Sequence, residues 1–415
     1  MRKNALLFIL VIAICMCGCG APQMIEATVP PLPTLETIPT ATLGNEGEGT
    51  LWSAAYCNDI TIRMLQQSYN AKNLMVSGAS LTSMLLVLRN AADESTAKMM
   101  DAAWGRSISN AGAIRPSVRK ILSQYESSYE GNFLAQSILF GEGPTLMVNY
   151  LDEWMGYSDI QPRLTDFTFN QDVALVNDWF TERTNGALTK AIQVSLENPN
   201  TMLIGAVGIR ICWKTGFDTK NTKNKLFNMA EGSTTTASMM NARMPMRYYS
   251  DDMVTVVVME AEDNRQVWLM LPGEGYDLPA LLNVLSTDSM LTWREAGEDK
   301  QCNLTMPLLR FTQLEDEDTA LKNIGMTSLF VAGGASYPVM GQNIHLSHVR
   351  QFLSLTVDET GTEISSETGG SHALSPLPNE IPTLTVDKPF LLLVTDKNDV
   401  GILLAAAIAN TKGIQ

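Results

Sequence analysis

The stretch from Thr356 to Phe390 constrains this chain more than any other. Phe352, Leu353, Leu355 and Val357 lead into it as a strand, and a second apolar run, Phe390 to Val394, follows it. Between them lie roughly thirty residues without helical period, and a compact domain rarely carries so long a structureless connection without a use for it. Its first half alternates. Thr362, Ile364, Ser366 and Thr368 fall on one side, and Glu363, Ser365, Glu367 and Gly369 on the other. That is the pattern of a half-buried strand. The segment is written for two states, an exposed loop and an inserted strand.

Asp358-Glu359-Thr360-Gly361-Thr362-Glu363, followed by small polar residues, resembles the hinge of the reactive-centre loop of serpins. Lys388-Pro389-Phe390 is similar to the segment that closes that loop. Further matches occur in family order. Asn73 to Ser80 resembles the family's Asn-apolar-apolar-apolar-Ser-Pro-x-Ser, with Gly78 at the proline and both serines, Ser77 and Ser80, in place. In Phe133 to Phe140, Gln136 stands at a family asparagine. Val176-Asn177-Asp178-Trp179-Phe180, with Thr184-Asn185-Gly186-Ala187-Leu188, is similar to the family signature around its helix tryptophan. Thr201 to Phe217 resembles the long strand ending Trp-x-x-x-Phe, with Trp213 and Phe217 at the end and Thr222 beyond.

The resemblance implies an α+β, serpin-like fold. Its large, antiparallel-rich central sheet would be joined by further sheets, about eight or nine helices and an exposed reactive-centre loop over about 358–387. It implies a suicide inhibitor of extracellular serine proteases, and possible cysteine-protease targets, with no cofactor. A protease cuts the bait loop, and the hinge (Glu359, Gly361, Thr362, Glu363, Ile364, Ser365, Ser366, Glu367, Thr368) then enters the sheet as a strand. The sheet-opening region it assigns comprises Ser77, Ser80, Gly205, Trp213, Thr222 and Gln351. The alternative reading is a non-inhibitory member of the same fold, serving as a surface binding module or scaffold.

Several positions depart from the family. Gly205 replaces an asparagine beneath the opening point, Gln351 replaces a histidine, and Gly208 replaces a bulky residue, which predicts a weakened strand where nothing packs. Leu308 stands where the family has the lysine that pairs with Glu359; Arg310, two residues on and so on the same face, is the available substitute. Ile364 is large for a hinge whose residues are usually small.

Family spacing places the bait bond at Ser375-Pro376, but proline directly after a bond hinders cleavage. Leu374-Ser375 is the better bond, with an apolar residue before it and a small one after. No Lys or Arg lies between Gly361 and Asp387. The expected partner is therefore a subtilisin-, chymotrypsin- or elastase-like protease.

The N-terminus reads as export. Arg2 and Lys3 precede an apolar run from Ala5 to Ile14, too short for a comfortable membrane span. Gly18-Cys19 resembles a bacterial lipobox, which makes residues 1–18 a signal peptide and Cys19 the lipid-bearing residue. Residues 19–49, rich in Pro, Thr and acids, read as a tether. One domain, 50–415, follows, predicted as a monomer held by its lipid at the outer face of the cell membrane.

Once Arg2 and Lys3 leave with the leader, 27 basic side chains face 44 acidic ones, a net −17. That excludes nucleic acid as a partner. Cys57, Cys212 and Cys302 are an odd, sparse set with no disulfide or zinc pattern. His345 and His348 lack accompanying ligands, and His372 sits among Gly and Ser with nothing to orient it as a base. There is no Gly-x-Ser-x-Gly, phosphate loop or dinucleotide fingerprint, so neither an enzyme nor a metal centre is expected.

Pattern alone also predicts helices over 53–71, 93–104, 113–129, 147–157 and 319–324. Strands are predicted at 201–217, 254–259 and 267–272, with separate short ones at 239–240 and 248–249.

Overall fold

The computed structural model describes residues 46–108, 111–127, 129–155, 160–195, 199–364, 381–396 and 401–414. Helix α1 (Glu46–Ser68), strand β1 (Leu74–Val76) and helix α2 (Gly78–Ala91) open the chain. Helices α3 (Glu94–Trp104) and α4 (Ile114–Ser123) lead to β2 (Phe133–Phe140), β3 (Thr145–Leu146), α5 (Val148–Met155), β4 (Ile160–Leu164) and α6 (Asn170–Arg183). The long β5 (Thr201–Gly216) is followed by β6 (Lys223–Asn228), β7 (Thr234–Ser250), β8 (Val254–Glu260) and β9 (Gln266–Pro272). Helices α7 (Leu278–Val284) and α8 (Thr287–Ala296) precede β10 (Glu298–Pro307), β11 (Leu309–Asp316) and α9 (Asp318–Leu321). Finally come β12 (Gly341–Gln342), β13 (Leu346–Ile364), β14 (Thr383–Thr385), β15 (Phe390–Thr395) and β16 (Ile402–Ile408).

The central five-stranded sheet has the order β11-β13-β5-β2-β4. Its outer pair β11/β13 and inner pair β5/β2 are antiparallel, whereas β13/β5 and β2/β4 are parallel. A second sheet runs β1-β16-β15-β9-β8-β7-β10-β14, with β6 also pairing β7, and β3 pairs β12. With nine α-helices among the described residues, this is the expected α+β class.

Local chemistry explains many of the boundaries. Asp93 caps α3 by accepting from Thr96 N, and Gly105 ends it at a positive φ of 75°. Strands β15 and β16 are continuous apolar runs because every residue in them is buried. The pieces expected at 239–240 and 248–249 are parts of one strand, β7, whose polar residues sit on its exposed face. Helix α1 begins at Glu46, seven residues before the expected start. Helix α4 stops at Ser123 rather than near Tyr129.

Two apolar layers flank the central sheet. One contains Met84 and Leu88 of α2 with Leu203, Val207 and Ile209 of β5. The other is closed by α6, whose Val173, Val176 and Phe180 meet Ala135, Ile204 and Ala206. The signature after Trp179 braces this second layer. Thr184 Oγ1 donates to Phe180 O and accepts from Leu188 N, while the Asn177 amide bonds both Ile192 N and Ile192 O. Trp179 itself is half-buried, with the Arg163 and Arg183 guanidiniums near its ring at 5.0 and 5.7 Å. It packs against the edge of this layer and offers its ring to both guanidiniums.

A buried acid sits below the sheet. Glu317, between β11 and α9, is 5% exposed and its Oε1 has no hydrogen-bond partner among the described residues. Burial, and then Glu315, Asp316 and Asp318, push its carboxyl up to about 8. Across from it on β13, His348 pairs with Asp318 at 3.0 Å and Arg350 with Asp316 at 2.7 Å, so both nearby basic side chains are engaged elsewhere. In the unfolded chain Glu317 ionises near 4.5. The folded state therefore holds the extra proton, and stability falls as pH rises from about 4.5 to 8 before levelling. Glu317→Gln is expected to flatten that slope and to raise stability at pH 8 by about 3–5 kcal/mol. Urea unfolding at pH 5 and pH 8 checks it; an unchanged pH dependence contradicts it.

Candidate functional site

The loop leaves the sheet at the top of the β5–β13 seam. The two strands pair in parallel from Leu346↔Thr201 up to Val357↔Ile211, then slip, and pair again from Gly361↔Trp213 to Ile364↔Gly216. Asp358 to Thr360 form the bulge between. Gly361 and Gly216 pass so closely that a Cβ on Gly361 would lie 2.4 Å from Gly216 Cα. Through Ile364 the start of the hinge continues β13. Ser365, Ser366, Glu367 and Thr368, and the bonds at Leu374, Ser375 and Pro376, lie outside the described residues, as does Cys19.

The bulge is held by named contacts. Trp213 Nε1 donates to Asp358 O at 2.7 Å, and Arg210 Nη2 reaches Asp358 Oδ2 at 2.9 Å across the seam. Thr360 N donates to Asp358 Oδ1, and Phe217 N to Glu359 O. Thr222 Oγ1 donates to Glu359 Oε1 at 2.6 Å. Arg310 is exposed and does not take the missing lysine's place; the carboxylate of Glu359 is held by a hydroxyl instead. The ion pair at this point is Arg210 with Asp358. Asp358 is 6% exposed, and a buried carboxylate needs such a partner.

Lower down, Gln136, Gly205 and Gln351 stand in one row across β2, β5 and β13. Gly205 leaves no side chain to bridge its neighbours. A Cβ there would sit 2.6 Å from Ser80 Oγ and 3.1 Å from Met84 Cε, so α2 fills the space an asparagine would need. The flanking glutamines turn to α2 instead. Gln136 Nε2 donates to Ser80 O and Ser80 Oγ, both at 2.8 Å, and its Oε1 accepts from Ser83 Oγ. Gln351 Nε2 donates to Ser77 O at 3.0 Å and its Oε1 accepts from Ser77 N at 3.3 Å. Gln313 of β11 does the same to both main-chain groups of Met75. Ser77 caps α2 and its hydroxyl also donates to Leu403 O.

Ser77, Ser80, Gly205 and Gln351 thus stand together at one level, and Trp213 and Thr222 hold Asp358 and Glu359 at the other. Gly208 is the correction. The Phe133 ring occupies the place of its missing side chain, with ring carbons 2.3–2.6 Å from a built Cβ, so this glycine is packed rather than bare. Arg210, Gln136 and Gln313 were not assigned roles by sequence reading. Gln136 is a buried polar residue inside a mostly apolar strand, the one signal that marks such a tie.

A model of the family described as "Serpin (serine protease inhibitor)" matches residues 55–411. Serpin B6 of Pongo abelii is 23% identical over 354 residues, covering 82% of this chain and 94% of the relative. Serpin B8 of Homo sapiens is 24% identical over 347 residues, covering 80% and 91%. Among solved structures, native protease nexin-1 with heparin superposes with a TM-score of 0.77 at 20% identity, over 87% of this chain and 100% of that one. The thermophilic serpin tengpin in its native state gives 0.77 at 19%, over 89% and 96%. With the family model matching most of its length and solved serpins sharing its fold, the chain belongs to the serpin family.

Proposed function

We propose that this serpin is a suicide inhibitor of extracellular proteases that acts by loop cleavage and strand insertion. One observation carries the reading: β13 runs parallel to its neighbour β5 and passes at its upper end directly into the loop. When the loop turns back at Gly361, the segment from Thr362 onward enters that seam antiparallel to both strands. One parallel ladder, the weaker pairing, is exchanged for two antiparallel ones. Refolding of the inhibitor then drags the acylated protease away before deacylation, and the covalent chemistry belongs to the protease.

The bond is assigned to Leu374-Ser375 and the target to a protease with an apolar pocket of subtilisin, chymotrypsin or elastase type. Incubation with a panel of serine and cysteine proteases tests the reading. An SDS-stable complex whose released fragment begins at Ser375 supports both proposals. A fragment beginning at Pro376 moves the bond by one residue, and cleavage without complex overturns inhibition in favour of the scaffold role.

The same reading places the inhibitor outside the cell on a lipid at Cys19, supported by Gly18-Cys19 and the Pro/Thr-rich stretch behind it. Mass spectrometry of the protein from its native membrane is expected to find a diacylglyceryl modification on an N-terminal Cys19; an unmodified N-terminus elsewhere contradicts it.

A further inference from the structure

The β5–β13 seam is crossed on its α6 side by an aromatic pair. Phe133 of β2 and Phe352 of β13 stack with ring centroids 6.2 Å apart and planes 13° from parallel. Strand β5 lies between their two strands, and the rings meet above it because position 208 is glycine. Both are buried, at 8% and 7% exposure, in the apolar layer that α6 closes with Val176 and Phe180.

The other ties behave differently when the seam opens. Gln136 and Gln351 hold their strands to α2 and not to each other. Arg210 and Asp358 cross the seam, but Arg210 is 36% exposed and water can replace its contact. The Trp213 bond to Asp358 O secures only the top. An inserted strand moves β13 away from β5 by one spacing, about 4.8 Å. Rings stacked at 6.2 Å cannot stay in contact through that displacement.

We propose that the Phe133–Phe352 pair is a clasp that holds the seam shut, and that its release limits the rate of strand entry. Both are positioning residues: they touch neither the protease nor the bait bond. The proposal rests on the insertion reading above. It also gives Gly208 a purpose, because the bulky residue the family places there is supplied here from the two flanking strands.

Uptake of a fluorescent synthetic peptide spanning residues 362–374 by the intact protein measures strand entry without a protease. Phe133→Leu and Phe352→Leu are each expected to speed uptake by about tenfold, the most that one aromatic contact is worth. Because the two rings act on each other, the double variant should be no faster than either single one. Gly208→Ala, which drives the Phe133 ring off its seat, should match them. Phe167→Leu, in the same apolar layer but off the pair, is expected to stay within about twofold of wild type and controls for general loosening. Rates equal to wild type or to the Phe167→Leu control would overturn the clasp, as would multiplicative effects in the double variant or no uptake by any form. Covalent complex formation is scored separately. Faster uptake by the variants without any complex in the wild type refutes inhibition and leaves the clasp standing.

Discussion

Replacing Thr362 by arginine is expected to abolish the covalent complex while leaving loop cleavage intact. Thr362 follows Gly361, which pairs with Trp213 at the top of the seam, so it is the first residue to turn in when the loop enters. The alternation places it on the side that faces the core of the sheet with Ile364, Ser366 and Thr368. An arginine there has to carry an unpaired charge between β5 and β13. The uncompensated charge costs several kcal/mol, and about 4 kcal/mol slows insertion by about a thousandfold. Deacylation then wins the race, and the protease leaves intact. Thr362→Val, of similar shape and without charge, should keep the complex. Gel analysis of protease mixtures, with mass spectrometry of the released fragment, separates the outcomes. A complex at wild-type yield with arginine at 362 would mean that Thr362 never enters the sheet.

How far the chain could be read follows from the range of the interactions. The start of the hinge was legible because its signals are local: an alternating pattern and the Gly361 that allows close passage of two backbones. Capping of α3 by Asp93 and its end at Gly105 were local too. The extent of β7 was not, because its middle is sustained by its partner β10 rather than by its own pattern. The opening region was half legible. Ser77, Ser80, Gly205 and Gln351 stand near one another, but the redirection of Gln136 and Gln351 to α2 depends on how closely Ser80 approaches Gly205. Gly208 was misread for the same reason. A strand glycine looks like a loss until the ring filling its place comes from residue 133. Arg310 satisfied the face rule for pairing Glu359 and still points to solvent, while Thr222, far away in sequence, holds that carboxylate.

Calorimetry of nicked and intact protein tests loop insertion most directly. Cutting the loop between Gly370 and Pro378 frees the segment from Thr362 onward to enter the seam that β13 and β5 now close with each other. About ten additional main-chain hydrogen bonds, each worth about 1 kcal/mol net, act against the entropy of ordering the strand, and apolar burial of Ile364 adds to them. The thermal transition of the nicked form is expected to rise by about 10 °C or more over that of the intact form. A transition that stays unchanged or falls after a clean cut would show that the loop does not enter the sheet, and the inhibitory mechanism would fall with it.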